Sequence, residues 1–147
     1  MGYALFAQRK LVLDSQLNSA QLQQTQRSNE QFALANNKLG LQRQLSALQV
    51  AQGTELAELY QELASETDSG ERAQIEADIQ TMEAAHAREQ ENINNQIYLV
   101  GIKENAIEME VKALDTEVTA LQKQLEAVEE AEGKAIDRAT PKFNGVG

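Results

Sequence analysis

Residues 75–128 read IEADIQTMEAAHAREQENINNQIYLVGIKENAIEMEVKALDTEVTALQKQLEAV. Within them Ile75, Ile79, Met82, His86, Glu89, Ile93, Ile97, Val100, Glu104, Ile107, Val111, Leu114, Val118, Leu121, Leu125 and Val128 follow one another at steps of three or four residues. That spacing places every one of them on a single stripe of an α-helix. Two steps of four fall together once, in the run His86, Glu89, Ile93, Ile97, which makes an eleven-residue repeat and relaxes a left-handed supercoil locally. Thirteen of the sixteen positions are apolar and most residues between them are polar or Ala, so the stripe is narrow. A narrow seam suits contact with another helix better than a globular core.

Composition agrees with long helices. Of 147 residues one is Pro, none is Trp and aromatic residues make up 4%, with a mean hydropathy of −0.50. A thick core is not expected from such a chain. The absence of cysteine excludes a disulfide framework and thiolate metal sites. No apolar run is long enough to span a bilayer. The first residues, MGYALFAQRKLVLDS, lack the order of a Sec signal, and Phe6 stands where a myristoylation motif needs Ser or Thr.

The net charge of −10 is unevenly spread. Residues 1–53 carry five basic and two acidic side chains (+3), residues 54–92 two and eleven (−9), and residues 93–147 six and ten (−4). No segment concentrates Lys and Arg as phosphate binding requires, so nucleic acid is not an expected partner.

Along the chain, a first helical arm is expected over residues 3–66. Its apolar stripe has two parts, Leu5, Phe6, Leu11, Leu13 and Leu17, then Leu34, Leu41, Leu45, Leu48, Leu56, Leu59 and Leu63. Between them NSAQLQQTQRSNEQ (18–31) holds only Ala20 and Leu22 as apolar residues. It reads either as a solvated linker or as a helix held by neighbouring subunits through amide bonds. Ser65 to Gly70 is a cluster of turn and cap residues, with Asp68 and Glu71 spaced as in a capping box. A second arm follows over 70–131, with Gly133 as its stop and residues 132–147 as a tail. The two arms predict one all-α domain, a long antiparallel helical hairpin assembled with other copies. Folding about positions 68–69 brings Gly40 near Ile97 and Gly101 near Asn36, where glycine would let the arms approach or bend.

Little chemistry is on offer. His86 and Glu89 stand three residues apart, as two metal ligands or an acid–base pair on one helix would. No further histidine exists to complete a site, so a polar insertion that sets register is the simpler reading. Glu104 reads as a register residue or a partner for a Lys or Arg of a neighbour. The acidic residues around the turn lack the loop of a calcium site. No phosphate loop or nucleophile motif occurs. The expectation is a non-enzyme with no cofactor and no metal site.

A seam of Ile93, Ile97, Val100, Ile107, Val111, Leu114, Val118, Leu121, Leu125 and Val128 with Leu41, Leu45 and Leu48 is the expected assembly surface. Cysteine-free, tryptophan-free, rich in Gln, Asn, Ser and Ala, and laid out as two helical arms, the chain resembles the axial and filament proteins of flagellar and type III secretion systems. The likeness covers both arms, while PKFNGVG (141–147) departs from the amphipathic C-terminal helix of flagellin-like proteins. The resemblance implies a structural subunit, a homo-oligomer polymerising helically, placed outside the cell by a signal-less route. The other expectation is a cytoplasmic coiled-coil adaptor or chaperone-like dimer that grips a protein partner.

Overall fold

A computed structural model describes residues 2–139, with side chains for residues 4–138. Two helices, α1 (Gly2–Ser65) and α2 (Ser69–Ala139), pack against each other as an all-α hairpin. No strand is present among the described residues. The second arm does not stop at residue 131. It runs through Gly133 to Ala139, and a Cβ at Gly133 would meet nothing within 4 Å. A glycine ends a helix only where the chain turns into a left-handed conformation, and no described glycine has positive φ. Residues 140–147, and with them PKFNGVG, lie outside the described residues.

Contacts gather into two units, Met1–Gln31 with Ile107–Gly147, and Phe32–Ala106. In the first unit the seam of α1 is Phe6, Lys10, Leu13, Leu17, Ala20, Gln24, Arg27 and Gln31, with Asp14 half-buried beside it. The seam positions alternate steps of four and three without a break, through the segment expected to be either a linker or a subunit contact. That segment is helix throughout, and its own second helix holds it. Ala20 is 3% exposed, in a cluster with Leu13, Val118, Leu121 and Val128, against which Phe6, Leu17 and Leu125 pack. A small residue buries little area but lets long side chains opposite close over it. Gln24 Nε2 donates to Asp115, and the Arg27 guanidinium reaches Glu110 at 2.7 Å. Leu5 and Leu11, placed in the stripe by sequence, are exposed because they fall outside this alternation.

The second unit follows the same rule with one exception. On α1 the covered positions Leu45, Leu48, Gln52 and Leu56 take two steps of four in succession, and on α2 so do Met82, His86 and Gln90. The eleven-residue repeat therefore exists, but one turn earlier than the spacing suggested, with Gln90 covered and Glu89 on the flank. Each insertion rotates one stripe away from its partner unless the other helix does the same. Here both do so, at the same level. Glycine plays no part in the approach: a Cβ at Gly40, Gly53 or Gly101 would meet nothing within 4 Å.

The pairing also differs from a fold about positions 68–69. Lys38 stands against Glu104 and Gln52 against Gln90, about one turn further along α2 than that symmetry gives. Helical side chains lean toward their own N-terminus. In an antiparallel pair this moves each contact to a higher residue number on both helices relative to facing Cα atoms.

The break comprises residues 66–68 only. Asp68 Oδ1 accepts from Gly70 N at 3.4 Å, half of the expected capping box, but Glu71 does not close the other half. Glu66 Oε1 takes the amides of Thr67 and Asp68 at 3.1 and 3.0 Å instead. Arg72 Nη1 donates to the carbonyls of Leu63 and Glu66, each at 3.0 Å, and so satisfies orphan acceptors at the end of α1. Hydrogen bonding to the Asp68 amide and to Glu71 holds the Glu66 carboxyl below its ordinary range, while the Glu66 partner raises that of Glu71.

Candidate self-association surface

The residues expected to form an assembly seam face the other helix of the same chain. Ile93, Val100, Leu114, Val118, Leu121 and Val128 are buried. Ile97, Ile107, Val111, Leu125, Leu41, Leu45 and Leu48 are half-buried. Glu104 is likewise engaged internally, its Oε1 standing 3.7 Å from Lys38 Nζ. That oxygen has no hydrogen bond, so the pair is coulombic.

His86 belongs to a polar layer at the doubled steps. Gln52, 4% exposed, accepts from Gln90 Nε2 at 2.6 Å and donates to Glu89 Oε2 at 3.0 Å. His86 Nε2 stands 3.2 Å from Glu55 Oε2, and its Nδ1 is buried without a partner. Burying amides is tolerable only when their polar ends are paired, which Gln52 achieves at both. Sequence reading found His86 but missed Gln52 and Gln90, which carry no apolar signal. The one clue is that Gln52 lies four residues from both Leu48 and Leu56. No three His, Cys, Asp or Glu side chains among the described residues are grouped to hold a metal ion.

What the hairpin leaves uncovered is more informative. In the first unit, the outward positions of each heptad on α1, meaning those adjacent neither to α2 nor to the seam, run from Ala4 through Leu5, Leu11, Val12 and Leu22 to Asn29. None is charged. The charges of this stretch (Arg9, Lys10, Asp14, Arg27, Glu30) all sit on or beside the seam. Lys10 pairs with Glu129, and Arg27 Nη1 binds both oxygens of Glu30 at 2.9 and 2.8 Å. The bond to Glu30, then the charge of Glu110, raises the Arg27 pKa further above its ordinary value. Leu22 is 60% exposed. Gln24, by contrast, is a seam residue, so a charge there would strike the hairpin itself.

The second unit has an uncharged outward surface on each helix: on α1, Phe32 (70% exposed), Asn36, Leu39 and Gly40; on α2, Asn92, Asn95, Tyr98 (68%), Leu99, Ile102 and Asn105, facing away from α1. Towards the turn, acidic side chains replace them. There Tyr60 donates to Glu83 Oε1 at 2.9 Å, a bond that raises the phenol's pKa. Among the described residues no helix is long and apolar enough to cross a membrane. Compared with protein-family models, curated proteins and solved structures, the chain matches none.

Proposed function

We propose that this chain is a non-enzymatic structural subunit that self-assembles through helix-to-helix contacts into a filament or tube. One observation carries the reading: outward-facing α1 is free of charge from Ala4 to Gly40 while exposing Leu5, Leu11, Val12, Leu22, Phe32 and Leu39. Scattered exposed leucines are ordinary on a protein surface, but a long helix face without one ionised group is not. Such a face can be covered without stripping water from ions, the dominant cost of burying polar surface. The charged side chains of this stretch lie on or beside the seam, where Lys10 meets Glu129 and Arg27 meets Glu30 and Glu110. The likeness to flagellar and type III secretion axial proteins points the same way.

Light scattering and sedimentation over a dilution series test it. The parent should grow with concentration without reaching a fixed size, Leu22→Glu should reduce it to small species, and Glu62→Gln near the turn should leave growth intact. A parent that stops at a dimer would favour the adaptor. A strictly monomeric parent would end the proposal.

A further inference from the structure

We infer that α2 carries a second seam on the face turned away from α1, from Asn92 to Ala120, and that the same seam of another copy covers it in antiparallel orientation. The inference adds a contact to the self-assembly reading and makes no use of the α1 face. Residues 92–120 hold seven ionised side chains. None falls on the outward stripe reached from Asn92 by steps of three and four, where Leu99, Ile102, Ala106, Met109, Ala113 and Ala120 stand, all exposed. Arg88 and Lys123 take the next positions at its two ends, so the stripe is bounded by charge. Leu99, Ile102 and Met109 are 56%, 47% and 71% exposed, although the opposite stripe of the same helix is already packed on α1. A helix with two opposed apolar stripes has one more than a hairpin can cover.

The sizes along the stripe select the occupant. A second copy running antiparallel about a twofold axis between Ile107 and Glu108 sets Met109 against Ala106, Ile102 against Ala113 and Leu99 against Thr116, each large side chain over a small one. A parallel copy in register instead stacks Ala106, Ala113 and Ala120 on themselves and leaves gaps between the layers of Leu99, Ile102 and Met109. The border charges agree. In an antiparallel pair each flank of a seam meets the same flank of its partner. Lys103 and Glu110 follow Ile102 and Met109 on one flank, so Lys103 of either copy meets Glu110 of the other. Exposed Lys103 has no ion pair among the described residues, and Glu110 uses Oε2 for Arg27. Such a like-to-like contact closes as a dimer, and growth then needs the α1 face as a second, different contact.

Sedimentation in the L22E background, where the α1 face is spoiled, tests this. L22E should be a dimer and L22E/I102E/M109E a monomer, with helicity by circular dichroism equal to the parent, since all three side chains are exposed. In the same background K103E and E110K should each dimerise more weakly than L22E, and their equimolar mixture should recover the loss, because only a mixed pair restores opposite charges at both contacts. A monomeric L22E from a parent that grows, or a triple variant that still dimerises, would overturn the α2 contact while self-assembly stands. A mixture no tighter than its components would overturn the antiparallel alignment. A parent that stops at a dimer, dissolved by I102E/M109E, would remove the filament and keep the α2 contact. A parent that never associates would remove both.

Discussion

The two units solve the same problem differently. In the first, an unbroken alternation of four and three gathers Leu13, Ala20, Val118, Leu121 and Val128 into a continuous apolar cluster. In the second, Ile75 and Ile79 are separated from Ile93 and Val100 by the layer of Gln52, His86 and Gln90. A heptad stripe winds slowly around a straight helix, and supercoiling keeps it facing its partner. Where both helices insert four residues, that winding relaxes, and side chains point more directly at the opposite helix. Long amides and an imidazole reach across such a level and bond there. The second unit thus places specificity where the first places hydrocarbon.

The largest effect should come from the cluster. Leu121→Ala should lower unfolding stability by about 2–5 kcal/mol in chemical denaturation. Thr119→Ala, on the exposed face two residues away, should stay within about 0.5 kcal/mol. Equal losses would mean that the first unit is not packed as described.

An intermediate effect distinguishes the polar layer. Gln52→Ala leaves the half-buried amide of Gln90 without its partner and should cost about 1–3 kcal/mol. Replacing Gln52, His86 and Gln90 together by Leu should be near neutral or stabilising, because no buried polar group is left unpaired and the carboxylates of Glu55 and Glu89, both exposed, are taken over by water. A triple variant less stable than Gln52→Ala would show that the layer contributes net stability and not only register.

The smallest effect concerns the turn. Glu71, raised by its bond to Glu66, contributes stability below its unfolded value that is lost as pH rises through its folded one. Glu66, lowered by the Asp68 amide and by Glu71, contributes above its unfolded value and loses it as pH falls through the folded one. The turn is therefore held best at mildly acidic pH, inside the carboxylate range. Carboxyl-carbon titration by NMR should show Glu71 protonating above Glu66. In Glu71→Gln the amide donates to Glu66 at any pH, so the loss on the alkaline side should vanish. Identical titration of the two carboxyls would discard the pair.

The stripe from Ile75 to Val128 was readable from the sequence because apolar residues at steps of three and four share one face in a helix and are scattered over both faces of a strand. Three features were not readable in this way. Ala20, Gln24 and Gln31 lack the hydrocarbon that marks a seam, so the segment read either as a linker or as a helix held by neighbouring subunits, and not as part of the hairpin's own seam. Glu89 and Gln90 are adjacent, and only the matching insertion at Gln52 decides which one turns inward. At the break, Arg72 caps the preceding helix from beyond the turn, a role that spacing along a single helix does not reveal. The uncharged α1 surface lay between these cases. Scarcity of charge was plain in the sequence, but its confinement to one face needed the register.

That confinement sets the thermodynamic character of any contact made through α1. With no ions to desolvate on the face, the driving force is release of water from leucine, valine and phenylalanine. It is entropic near room temperature and carries a negative heat-capacity change. Association should strengthen on moderate warming, weaken on chilling and respond to sulfate as a salting-out agent. A polymer held by such faces would come apart in the cold while the hairpins within it stayed folded.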